Sequence, residues 1–398
     1  MNILYIHQYF KTPEEPGGTR SYWISKELIK DGHNITVLSG KNDIKSNIEK
    51  KSIEGINVIY IKDNYNQEMG VLKRVSSFIN FMFKVTLYSL KIKNIDLIIA
   101  TSTPLTVGFP ALILFFFKSI PYIFEVRDLW PEVPIQMGGL NNSILKKIAV
   151  LFEKTIYKYA KHIVALSPGM KNGVLNYVED KKISVIPNMA KIDQFWPRPI
   201  KKNLFKKYGL TPDTFKIIHF GSLGIANGAE SIIKSALLLK GNHNFEFIFI
   251  GGGATEDNLK SICKKNMLDN VHFLGSFSMR ETSEIVNLCD ISIVSFLNLP
   301  ILYTNSPNKL FDSLSAGKPI IVNSAGWTKD LVLDNDCGLY VNPEVPEDLV
   351  NILISLRKNN KILHRMGENS RELAENKFDK SILTSKFSQI VKNIQNLK

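Results

Sequence analysis

Hydrophobic positions in this chain fall into short apolar runs, separated by longer stretches in which apolar residues recur every three or four positions. The short runs predict strands and the longer stretches amphipathic helices, the pattern of βα units around a parallel sheet. In the first half the runs predict strands at 2–7 (NILYIH), 34–39 (NITVLS), 57–61, 95–100 (IDLIIA), 121–125 and 162–166 (HIVALS). The cycle restarts at 216–220 (KIIHF), 245–250 (FEFIFI), 270–273, 290–295 (DISIVS) and 318–322 (KPIIV). Two cycles predict two sheets, and a length of 398 residues suits about two domains. Between them lies 186–203, where Pro187, Pro197 and Pro199 interrupt any regular element and predict a linker. The segment 379–396 has apolar residues at helical spacing and a Lys-rich opposite face, which predicts a terminal docking helix.

Composition narrows the class. Hydrophobic residues make up 44% and charged residues 22%, ordinary for a soluble α/β protein and incompatible with disorder over most of the length. Cys263, Cys289 and Cys337 are widely spaced and form no CxxC pair, so neither a disulfide framework nor a zinc site is expected, and a reducing cytosol fits. The opening MNILYIHQYF runs straight into a strand pattern without signal-peptide features, so secretion is not expected. The apolar stretch from Leu105 to Phe117 is interrupted by Pro110 and is shorter than the roughly 18 residues of a membrane span. Residues 1–200 hold 26 Lys or Arg against 17 Asp or Glu, so +9 of the net +13 lies in the first half. Such an excess attracts nucleic acid, anionic lipid or phosphorylated substrates, or is simply a solvated Lys-rich surface.

Four stretches carry candidate chemistry. Gly17 and Gly18 form a turn after the first strand, and Thr19 opens a helix ending near Gly32, with Arg20 adding a cation beside the glycines. HFGSLGIANGAES supplies Gly221, Gly224 and Gly228 between a strand and a helix that begins near Ala229. FIGGGATEDNLK supplies Gly251, Gly252 and Gly253, which let the chain approach a ligand closely. Such loops at strand C-termini are where doubly wound folds bind nucleotides. In TNSPNKLFDSLSAGKPIIV, Ser306 suits an N-cap and Pro307 the first helical position. Asn308, Lys309 and the first amides can then hold a diphosphate and Asp312 the ribose hydroxyls; alternatively Lys309 and Asp312 form an i,i+3 surface pair. No DxD carboxylate pair and no His/Asp cluster has metal-ligand spacing, and His7 and His162 at strand edges suit structural roles.

The order GGTR, GHNITV, RDLWPE, PNMAKIDQFWP, GSLG, GGG, HFLGSF, PNKLFDSLSAGKP and CGLYV resembles family 4 glycosyltransferases of the GT-B fold, over nearly the whole chain. It is similar above all to the L-fucosamine transferases of O-antigen and capsule clusters. The resemblance implies an α/β protein of two Rossmann-like doubly wound domains facing across a cleft. It divides the chain into an acceptor-binding domain at 1–195, a nucleotide-sugar-binding domain at 196–375, and a C-terminal helix at 376–398 that packs back on the first domain. It implies catalytic roles for Arg127, Asp128 and Lys309, and donor binding by Gly18, Arg20, Gly221, Ser222, Gly224, Asn227, Gly252, Phe277, Asn308, Lys309 and Asp312. The sequence also departs from the family. Asp312 matches the second glutamate of the paired-glutamate motif, but the first is Thr304. The arginine and lysine of the diphosphate loop appear as Ser222 and Asn227, and Arg127 stands where many relatives have a histidine.

The activity so implied is retaining transfer of N-acetylfucosamine or another N-acetylhexosamine from a UDP-sugar to a polyprenyl-diphosphate-linked glycan, without metal or cofactor, in bacterial surface polysaccharide synthesis. A nucleotide-sugar 2-epimerase and a non-catalytic nucleotide-sugar-binding partner are the alternatives. No nucleic acid partner is expected. Residues 71–93 hold five Lys or Arg and no acid, with apolar residues over much of the helical surface. They suit either an anionic membrane surface or a packed helix whose cations face water. The first reading predicts a cytoplasmic protein on the inner face of the plasma membrane.

Overall fold

A computed structural model describes residues 1–15, 17–65 and 69–396, so the last two positions of the segment 376–398 lie outside the described residues. The chain forms two compact units. One comprises Met1–Thr12, Gly18–Pro187 and the chain from Ser381 onward; the other comprises Pro13–Gly17 and Asn188–Lys380.

Among the described residues the first unit has a sheet of β1 (Asn2–Ile6), β2 (Asn34–Lys41), β3 (Ile48–Ile53), β4 (Ile56–Lys62), β5 (Leu97–Thr101), β6 (Tyr122–Val126), β7 (His162–Ala165) and β8 (Ile183–Val185). Their order is β3-β4-β2-β1-β5-β6-β7-β8. Only the edge strand β3 runs antiparallel to its neighbour. Its sequence, IEKKSI, is mostly exposed and has no apolar alternation, which is why the hydrophobic pattern does not announce it. The central strands are buried on both faces, as in β5 and β6, because helices cover both sides of a parallel sheet. The helix Lys380–Asn396 buries Leu383, Phe387, Val391 and Ile394, and its Lys392 reaches Asp31 at 3.0 Å.

The second unit holds a fully parallel sheet of β9 (Phe215–Phe220), β10 (Phe245–Ile250), β11 (Val271–Gly275), β12 (Ile291–Val294), β13 (Ile320–Val322) and β14 (Gly338–Tyr340), ordered β11-β10-β9-β12-β13-β14. Phe245, Phe247 and Phe249 of β10 enter one core and Ile248 and Ile250 the other, so this strand reads as a continuous apolar run. The linker's first residues are anchored within this unit. Ala190 pairs with Asp379, and the Arg371 guanidinium donates to the carbonyls of Ile192, Phe195 and Ser315. Among the described residues no helix is long and apolar enough to cross a membrane.

Candidate active site

In the second unit the chain leaves β9 for one side of the sheet and returns through β12, so the strand order reverses between these neighbours. Doubly wound folds bind ligands at such a point, beyond the strand C-termini. The loop Gly221–Gly228 emerges there from β9. Ser295, just past β12, donates to the Asn227 carbonyl at 2.7 Å, and Leu297 N donates to Ala226 O at 2.9 Å. A Cβ on Gly228, whose φ is +56°, would stand 2.8 Å from the Phe296 backbone. Only glycine fits this seam.

The second glycine loop has a different reason for its composition than the sequence suggests. A Cβ on Gly251 would lie 2.0 Å from Gly221 O, and one on Gly253 would lie 2.7 Å from Leu223 C. Leu223 N donates to Gly252 O at 2.9 Å, and Thr255 returns two hydrogen bonds to Leu223 O. Gly251 and Gly253 therefore admit the neighbouring loop, which accounts for both glycines by packing alone. Gly252 is half-buried, and Ser222 and Gly221 are exposed at the tip of the first loop.

Lys309 lies beneath that loop. It is the second residue of the helix Asn308–Ser315, whose N-cap is Pro307, one position later than expected. Ser306 does not cap the helix, because its hydroxyl accepts from Asn188 N at 3.2 Å. The Lys309 side chain is buried, with Cε 3.5 Å from the Cβ position of Gly221. Its Nζ donates to His219 Nε2 at 2.9 Å and to Asn227 Oδ1 at 3.0 Å. While Lys309 carries its charge, Nε2 must accept from it, which requires a neutral His219. Burial pushes the Lys309 ammonium down to about 7, and burial plus the adjacent ammonium hold His219 well below its ordinary value. Among the described residues no carboxylate pairs with Lys309. This cation thus has polar neighbours and no counter-ion.

Lys309 and Asp312 do not form a surface pair. Asp312 is buried and meets Lys191 Nζ at 2.8 Å, Lys191 coming from the linker. Burial raises the Asp312 carboxyl, and Lys191 opposes that shift. Asn308 is half-buried at the first helical position, and Gly224 is half-buried within its loop. Phe277 packs edge-on to Tyr208, with ring centroids 5.7 Å apart, on the side of the core containing Phe220 and Ile250. Thr304 ends a short 3₁₀ turn and donates to Ile301 O at 2.8 Å.

The first unit assembles a separate group beyond β1, β5 and β6, where its own strand order reverses. Arg127 follows β6; its backbone N–H donates to Ser102 Oγ at 3.0 Å, and its guanidinium donates to His7 Nε2 at 3.2 Å. His7 Nδ1 is in turn 2.7 Å from Ser21 Oγ, so this buried, neutral imidazole orients Arg127. Asp128 accepts from Thr103 Oγ1, and burial raises its carboxyl. Arg20 does not supply a free cation at the glycine turn, which corrects the expectation from its position. It is 2% exposed, with Nε donating to Glu125 at 2.6 Å and the other nitrogens to the carbonyls of Pro187 and Ile186. Gly18 is half-buried, and Gly17 adopts φ +132°. Thr19 starts the helix Arg20–Lys30, but its hydroxyl accepts from Trp23 Nε1 instead of capping a backbone N–H.

Sequence reasoning missed His219 and Lys191. His219 left a signal, as a polar side chain inside the otherwise apolar run KIIHF; Lys191 left none, since its partner is 121 residues away.

Comparison with known proteins places this geometry in a family. The model for glycosyl transferases group 1 matches residues 200–373, and that for glycosyltransferase family 4 matches residues 17–194. An uncharacterised glycosyltransferase of Methanocaldococcus jannaschii is 25% identical over 65% of this chain and 66% of its own length. The UDP-Gal:alpha-D-GlcNAc-diphosphoundecaprenol alpha-1,3-galactosyltransferase of Escherichia coli is 26% identical over 51% of this chain, which spans about half (52%) of that protein. Among solved structures, sucrose-phosphate synthase from Thermosynechococcus elongatus superposes with a TM-score of 0.79 at 15% identity over 100% of both chains. Anabaena HepE in complex with UDP-glucose gives 0.73 at 17% identity, over 99% of this chain and 100% of its own. Residues 17–194 thus match glycosyltransferase family 4 and residues 200–373 glycosyl transferases group 1, and the protein is a glycosyltransferase with the two Rossmann-like domains of the GT-B fold.

Proposed function

We propose that the protein transfers N-acetylfucosamine or another N-acetylhexosamine from a UDP-linked donor to a polyprenyl-diphosphate-linked glycan, with retention at the anomeric carbon. The setting is bacterial surface polysaccharide synthesis of the O-antigen or capsule type, at the inner face of the plasma membrane. The observation that carries the donor assignment is Lys309, a buried ammonium without a counter-ion at the point of strand reversal in the second unit. A diphosphate beside it supplies the missing negative charge.

The family's usual lysine is replaced by Asn227, and the Lys309 ammonium lies 3.0 Å from the Asn227 side chain. The charge is thus delivered to the same place from a different element, the first turn of a helix whose free amides add positive potential. When the sugar–oxygen bond breaks, charge develops on the leaving diphosphate; the Lys309 side chain, held in position by His219 and Asn227 and charged once the diphosphate is bound, stabilises it. Asp312, set in place by Lys191, accepts from the ribose. Arg127 and Asp128 act on the acceptor side, with Arg127 oriented by His7. With that potential supplied by side chains and amides, the reaction proceeds without a metal ion.

The support for a lipid-linked acceptor is the E. coli relative, whose name specifies a diphosphoundecaprenol substrate, and the support for a UDP donor is the same name together with the HepE complex. The test is incubation with a panel of UDP-sugars and polyprenyl-diphosphate glycans in EDTA, with products weighed by mass spectrometry and the anomeric configuration read by NMR. The proposal expects one N-acetylhexosamine added with retention. Release of a free epimerised UDP-sugar, an inverted product or a strict metal requirement would contradict it.

A further inference from the structure

Helices of a folded domain ordinarily bury one apolar face and turn polar residues outward. Two helices of the first unit do otherwise. The helix Val71–Lys91 buries Phe78, Phe81 and Val85, yet Val75, Ile79, Phe83 and Leu87, spaced four apart, form a second apolar stripe on its exposed side. The helix Ser143–Tyr159 buries Glu153, Ile156 and Tyr157, while Ile144, Leu145, Ile148 and Leu151 are 52–69% exposed. Between them runs the helix Gly108–Lys118, whose end presents Phe116 at 54% and Phe117 at 77% exposure.

These stripes belong to one face. The ring of Phe83 lies 6.3 Å from Phe109, and Phe109 lies 6.5 Å from Phe152, so a line of aromatic contacts joins the three helices. Phe116 closes the other end by packing edge-on to Tyr159 at 4.8 Å. The middle helix sits tightly against the third, since a Cβ on Gly108 would fall 2.4 Å from Ile156 Cδ1. A continuous exposed apolar face of this kind marks a docking surface.

Charge identifies what docks. Residues 71–93, 108–118 and 143–161 together contain eleven Lys or Arg and one acid, Glu153. That acid is buried and accepts from Tyr157 at 2.9 Å, so it does not offset the surface cations. Lys84 and Lys118 donate to backbone carbonyls of neighbouring segments, while Lys73, Lys147, Lys154 and Lys158 are exposed. Large apolar side chains rimmed by exposed ammonium groups match the boundary between anionic headgroups and acyl chains.

We infer that this three-helix face inserts into an anionic bilayer, with Ile144, Ile148, Leu151 and Phe117 entering the acyl boundary and the lysines holding headgroups. The inference rests on the membrane setting of the proposed function and deepens it: the contact expected along 71–93 becomes part of an inserted three-helix apolar surface centred on Ser143–Tyr159.

The test uses full-length protein and cosedimentation with phosphatidylglycerol-containing or purely phosphatidylcholine vesicles at low salt. Wild type should bind the anionic vesicles and bind the neutral ones far more weakly. Replacing Ile148→Asn and Leu151→Asn together should reduce anionic-vesicle binding at least ~100-fold, at about tenfold for each buried side chain. UDP affinity and transfer to a short-chain, water-soluble acceptor should stay unchanged, because both residues are exposed and face away from the packed side of their helix. Wild type that ignores anionic vesicles, or a double variant that binds them as wild type does, would overturn the inference. So would self-association of wild type that the double variant abolishes, since a second copy would then occupy the face. Failure of the transfer proposal looks different, with no glycosylated product from either acceptor whether or not vesicles are bound.

Discussion

Each unit buries a cation that its sequence setting marks as a phosphate ligand, and the two have opposite surroundings. Arg20 in the first unit faces the Glu125 carboxylate at 2.6 Å and two backbone carbonyls, so its charge and its hydrogen bonds are satisfied from within. Lys309 in the second faces a neutral imidazole and an amide oxygen, and burial pushes its pKa down to about 7. A buried pair with its own counter-ion is a structural clamp, since removing one member strands the other. A buried cation without one is destabilising until an anion arrives, and such a site is built for a ligand.

The largest expected effect comes from breaking the clamp. Arg20→Met leaves Glu125 buried without its partner and should cost about 3–5 kcal/mol in urea unfolding, while the folded fraction binds UDP normally. If Arg20→Met folded as stably as wild type but lost UDP affinity, the contrast between the two cations would be reversed.

Lys309→Met should act in the opposite sense. UDP binding should weaken by about 1.5–3 kcal/mol, the scale for a hydrogen bond to a charged group, while stability should rise at neutral and lower pH. The sign follows from the lowered pKa. Between about 7 and 10.5 the unfolded chain holds the Lys309 proton more tightly than the folded one, so wild type gains stability from this group as pH climbs through that window. The stabilisation of the variant relative to wild type should therefore be fully present below the folded pKa and fade toward pH 10.5. Thermal melts at several pH values check this, and a variant less stable than wild type at pH 6 would contradict it.

How much of this contrast the sequence reveals depends on where the determining contact lies. The alternation of βα units and most strand positions follow from apolar runs such as FEFIFI, because parallel strands are buried on both faces. The strand Ile48–Ile53 escapes because it is an edge with polar residues, and Ile183–Val185 and Gly338–Tyr340 because they are short, half-buried edge strands, unlike the equally short but wholly buried Ile320–Val322. Lys309 is marked by its position at the start of a helix, a local feature. Arg20 has the same local signature, and what separates the two is Glu125, 105 residues away, which no local pattern discloses. Gly251 and Gly253 read locally as a ligand loop for the same reason, since the backbone they admit belongs to the preceding glycine loop, about 30 residues earlier.

A smaller effect sharpens the description of the Lys309 site. Asn227→Ala removes one of the two acceptors that hold the ammonium and should weaken UDP binding by about 1 kcal/mol, with Lys309 still charged by the bound diphosphate. Calorimetry on the folded variant measures it. A loss as large as that of Lys309→Met would mean that Asn227 contacts the donor directly rather than orienting the lysine.

Lys309, buried beside a neutral imidazole and an amide, is largely uncharged above neutral pH and becomes the counter-ion of the donor diphosphate when that binds. Titration calorimetry of UDP at pH 8, in two buffers of different ionisation enthalpy, measures it through proton uptake. With burial pushing its pKa down to about 7, Lys309 is mostly neutral at that pH, so wild type should take up a large fraction of one proton per UDP bound. Lys309→Met should take up none, and wild-type affinity should fall as pH rises above 7. No proton uptake by wild type, or the same uptake in the variant, would contradict the account.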